Sequence, residues 1–109
     1  MRDEEIKKLI VEARTEPSPG RLSEIAVLLT TYYASLSEEI KDILIKKADE
    51  WIKLRVDHGS DRSTDRTWDA TDDGKSEIKL RFQLKYVEKI ISVIKLRLRI
   101  LEGESRGQY

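Results

Sequence analysis

The sequence predicts an all-α protein: a short N-terminal helix plus a long antiparallel helical hairpin, coiled-coil-like and oligomerising. Charged residues make up 39% of its 109 residues, and only five glycines and two prolines interrupt them. That is the composition of long, solvent-washed helices. Apolar residues recur at helical spacing over three separate stretches. The resulting seams are narrow, so one copy buries little surface against the entropy of ordering the chain, and self-association is expected. The length suits a single helical domain, residues 1–109.

The first helix is expected over about residues 3–15, where Ile6, Leu9, Ile10 and Ala13 fall at i, i+3, i+4 and i+7. Pro17-Ser18-Pro19-Gly20 ends it, because proline clashes with the preceding helical turn. A second helix is expected over about 19–57. Leu22, Ile25, Leu29, Tyr32 and Leu36 alternate spacings of three and four, and after one extra residue Ile40, Ile43 or Leu44, Ala48 and Trp51 continue the seam. Ser35-Leu36-Ser37-Glu38-Glu39 contains residues that often start helices, so either a kink or a break is expected near residue 36, the continuous helix being favoured. One of Tyr32 and Tyr33 belongs to the seam and is expected in the core.

Residues 58–74 are polar and read as the loop at the hairpin's tip. The third helix, about 75–102, has the cleanest pattern: Leu80, Leu84, Val87, Ile91, Ile94, Leu98 and Leu101 form a heptad seam without a gap. Ile78, Tyr86, Ile90, Val93 and Ile100 widen it, which implies more than one neighbour, one of them in a second subunit. Gly103, Gly107 and the polar residues 105–109 mark a frayed end.

Net charge is zero, but it is divided unevenly. Nine cations stand against four acids from residue 75 onward, and twelve against seventeen before it. This asymmetry suits either a basic face for phosphates or head-to-tail assembly.

Enzyme chemistry finds little footing. There is no cysteine, and His58 is the only histidine, so neither a zinc set nor a nucleophile and base pair can be assembled. Asp73-Gly74-Lys75-Ser76 has the ending of a phosphate loop without its upstream glycine or strand. Asp57, Asp61, Asp65, Asp69 and Asp73 lie four apart, but without the ligand pattern and central glycine of an EF-hand, and read as a solvated acidic loop. No catalysis, cofactor or metal is expected. No apolar run approaches a membrane span and Met1–Ile10 is too charged for a signal peptide, so an intracellular protein is expected.

Binding offers more. Lys53 and Arg55 are two cations at the end of the second helix, although a helix C-terminus attracts cations in any protein. Arg62, Arg66 and Trp68 in the polar segment are what single-stranded nucleic acid uses, through phosphate neutralisation and base stacking. Trp68 packing back onto the helices is the more ordinary outcome.

With these elements assembled, the chain resembles the UvsY-type recombination mediators of tailed phages. The resemblance covers most of its length: Leu28-Leu29-Thr30-Thr31-Tyr32-Tyr33, Ile40-Lys41-Asp42-Ile43-Leu44, Lys53-Leu54-Arg55-Val56-Asp57 and Gly74-Lys75-Ser76-Glu77-Ile78-Lys79. Lys53-Leu54-Arg55-Val56 is similar to the family's Lys-Ala-Arg-Leu quartet, which is linked to single-stranded DNA. Only the two cations match by identity, and the chain is shorter after Lys79. The resemblance implies a ring-shaped homo-oligomer in the host cytoplasm. Such a protein binds single-stranded DNA, loosens its coating by single-strand-binding protein, helps load a RecA-like recombinase and catalyses nothing. The alternative reading is a helical coiled-coil adaptor or inhibitor acting only through protein contacts.

Overall fold

The computed structural model describes residues 2–106, which form four helices and no strand: α1 (Arg2–Thr15), α2 (Pro19–His58), α3 (Asp61–Ala70) and α4 (Asp72–Arg106). No helix among them is long and apolar enough to cross a membrane.

Asp3, Glu4 and Glu5 in the first turn of α1, and Arg14 in its last, complement the helix dipole. Ile6, Ile10 and Ala13 form its buried face. After the proline break the Ser18 hydroxyl accepts from the Arg21 N–H at 3.4 Å, and Pro19 occupies the first helical position, where its missing N–H costs nothing. α2 then runs 40 residues without a break. Leu36 is fully buried, the Glu38–Lys41 ion pair follows at 2.7 Å, and neither glycine nor proline interrupts the segment, so Ser35 and Ser37 lie within continuous helix. Gly59 ends α2 at φ +73°, a left-handed conformation that glycine adopts without steric cost, and its N–H reaches the Arg55 carbonyl at 3.1 Å.

The expected loop over 58–74 is corrected: it contains α3. The Ser60 hydroxyl accepts from the Ser63 N–H at 3.2 Å and caps the helix, while Thr64 and Trp68, four residues apart, are fully buried. α4 begins three residues earlier than expected, because the Thr71 hydroxyl accepts from the Gly74 N–H at 3.0 Å and caps it. It also continues past Gly103, where an added Cβ would meet nothing, so no special backbone requires glycine there. The end expected at Gly107 lies outside the described residues.

The single domain expected over 1–109 resolves into two compact units. One comprises the described parts of Met1–Ala34 and Lys85–Tyr109, the other Ser35–Leu84. Each short helix closes a core of its own. In the first unit Ile6 and Ile10 of α1 join Leu22, Ile25 and Leu29 of α2, with Val87 and Ile94 of α4. Arg97 of α4 donates to the carbonyls of Ala13 and, at 2.7 Å, Glu16, satisfying the C-terminal end of α1. In the second unit Trp68 of α3, Leu36 of α2 and Leu80 of α4 are buried. Ala48, expected in the seam, is exposed, and Tyr32 and Tyr33 are both half-buried rather than one being core.

Candidate nucleic-acid interface

The last three turns of α2 face α3, which runs back along them. The Arg55 Nε donates to Asp61 Oδ1 at 2.7 Å, the Trp51 indole N–H to Asp65 Oδ1 at 2.8 Å, and the Lys47 ammonium lies 5.6 Å from the Trp68 ring centroid. Where α4 starts, Lys46 pairs with Asp73 at 2.7 Å and Lys47 with Glu77 at 3.2 Å. Three of the five regularly spaced aspartates, Asp61, Asp65 and Asp73, therefore form a ladder of pairs with α2, while Asp57 and Asp69 are exposed. Their helical period places Asp61 and Asp65 on the face of α3 nearest α2, where partners offset the repulsion their spacing would otherwise cause. Among the described residues no three acidic, histidine or cysteine side chains gather to hold a metal.

Glu77 is the buried member of this arrangement, 7% exposed. Burial pushes its carboxyl pKa up, but hydrogen bonds from Arg81, Trp68 and Lys47 outweigh that and hold it below the ordinary value.

The five candidate residues fare differently. Lys53 is exposed on α2, and Arg62 and Arg66 are exposed on α3; all three stand outside the ladder. Arg55 is half-buried, with its charge committed to Asp61. Trp68 is corrected as a stacking residue: it is completely buried, and its N–H is used by Glu77 at 3.0 Å, so no base can reach its face. Nor does Gly74 belong to a phosphate loop. A Cβ there would sit 1.9 Å from the Trp68 carbonyl oxygen, so glycine permits the close turn from α3 into α4.

Charge around the tip is mixed, with six acids against four cations between residues 49 and 70. The basic surface that the list of candidates missed lies on α4 in the first unit, where Lys85, Lys89, Lys95 and Arg99 are all exposed. The charge asymmetry of the sequence signalled it; only the helix shows that these four share one side, within about a third of a turn at 100° per residue. His58 is exposed.

No protein-family model, curated protein or solved structure shows a significant match to the chain.

Proposed function

We propose that this protein is a non-catalytic recombination mediator of the UvsY type. In this reading α2 and α4 supply the arms of a coiled-coil-like antiparallel hairpin in a ring-shaped homo-oligomer. It holds single-stranded DNA, loosens the single-strand-binding protein coating it, and hands the strand to a RecA-like recombinase in the cytoplasm of a phage's host. The observation that carries the reading is that Lys53, Arg62 and Arg66 project into solvent while Asp61 and Asp65 beside them are turned into hydrogen bonds with α2. Cations can then reach phosphates without the nearest carboxylates standing between. Repetition around a ring multiplies such weak contacts through effective concentration.

The test is a loading reaction. Single-stranded DNA precoated with single-strand-binding protein is mixed with the cognate recombinase, and filament formation is followed with and without this protein. Faster filament growth supports the reading; no change at any protein ratio overturns it. An adaptor acting through protein contacts alone is the second reading, favoured by the surplus of acid at the tip. It predicts no DNA binding even at low salt.

A further inference from the structure

Two helical faces carry apolar side chains that their own unit leaves about half exposed or more, although Tyr86 and Val93 border α1, where the Tyr86 hydroxyl accepts from Arg14 at 3.3 Å and Val93 lines a cleft with Ile10 and Ala13. On α4 in the first unit Tyr86, Val93, Leu96 and Ile100 are between 46% and 54% exposed. At 100° per residue they fall within about a quarter of a turn, and Tyr86, Val93 and Ile100 repeat every seven residues, the spacing that a partner helix reads as a seam. On α2 in the second unit Ile45, Ile52 and Val56 are 63%, 62% and 80% exposed and share a still narrower stripe. Exposed aliphatic residues at seam spacing mark contact surfaces rather than scattered surface hydrophobes.

The charges flanking the two stripes are opposite. Lys89 is exposed on the α4 stripe and Arg99 beside it. Asp42 and Asp49 are exposed beside the α2 stripe, with Lys53 and Asp57 further round, while Lys41 on the other flank is paired with Glu38 at 2.7 Å. Neither these two α4 cations nor the three aspartates take part in the ion pairs described above. Pairing α4 with α4 would bring cations against cations, whereas pairing α4 with α2 matches apolar to apolar and basic to acidic. We infer that the α4 face of one copy docks on the α2 face of a second copy, a head-to-tail interface using two different surfaces. Each copy then retains one unused face of each kind, so the contact propagates into a ring or a filament according to the rotation between neighbours. The inference identifies the interface behind the self-association in the proposed function, and it stands whether or not the assembly binds DNA.

The experiment uses two full-length variants, Ile52→Asp and Leu96→Asp, each altering an exposed position so that helical content and melting should stay close to wild type. Solution mass is measured for the wild type, each variant and their 1:1 mixture. The wild type should be a multimer weakened by salt, and each variant alone should have the 12.7 kDa mass of one chain. The mixture should give a 1:1 heterodimer that grows no further, because one intact α4 face and one intact α2 face remain. Restoration of the multimer by combining Asp49→Lys with Lys89→Glu, when each alone weakens it, would add the charge pairing. A monomeric wild type, a variant that stays multimeric, or a mixture that stays monomeric overturns the interface. Binding of single-stranded DNA, measured on the same samples, reports separately on the mediator reading.

Discussion

The indole N–H of Trp68 donates to Glu77 Oε1 at 3.0 Å in the second unit, while Arg81 donates to the other carboxylate oxygen at 2.8 Å. A fully buried aromatic and a nearly buried acid thereby satisfy each other, and Lys47 adds a cation to both. Trp68→Ala should cost about 3–5 kcal/mol, the usual loss for truncating a buried aromatic. Chemical denaturation measures it. A loss below 1 kcal/mol would mean that the indole is not core.

The same acid makes stability depend on pH. Its folded pKa is depressed, so its contribution is fully present above the unfolded value and is lost as pH falls through the folded one. Melting temperature should therefore fall as pH drops below about 4, and Glu77→Gln, already less stable at neutral pH, should fall less steeply. Parallel curves for the two proteins would remove Glu77 as a source of the acid sensitivity.

Gly74→Ala should destabilise by about 1–3 kcal/mol, as overpacking does, because the new Cβ would have to push aside the Trp68 backbone. Tryptophan fluorescence should report the displacement. Gly103→Ala, at a helical position with open space, serves as the comparison and should leave stability unchanged or raise it by up to about 1 kcal/mol.

The seams made α1, α2 and α4 legible in the sequence, since apolar period is a local property. α3 was not, because only Thr64 and Trp68 of its ten residues are buried. The aspartates that help hold it find partners on α2, a relation that spacing along one segment cannot reveal. The division into two units was equally hidden, because one continuous period runs along helices that contribute to both. At the candidate site the basic character of Lys53 and Arg55 was readable, but the capture of Arg55 by Asp61 depends on the turn at Gly59. Burial of Trp68, the more ordinary of its two expected fates, follows from its place four residues after Thr64 on a helix capped at Ser60.

Arg55 and Lys53 should consequently behave differently. Arg55→Ala breaks a partly exposed ion pair and should lower stability by up to about 1 kcal/mol, whereas Lys53→Ala should leave unfolding unchanged. Equal effects of both on unfolding would contradict the ladder.

The most direct test of the account is the affinity of wild type and of the Lys53→Ala, Arg62→Ala, Arg66→Ala triple variant for a labelled single-stranded oligonucleotide across a salt series. The account predicts that the variant keeps its fold and solution mass but binds more weakly. Its slope of log affinity against log salt should be shallower by roughly two for each protomer engaged, because three cations no longer release counterions. Unchanged affinity and slope in the variant, or no binding by the wild type at any salt, would contradict it.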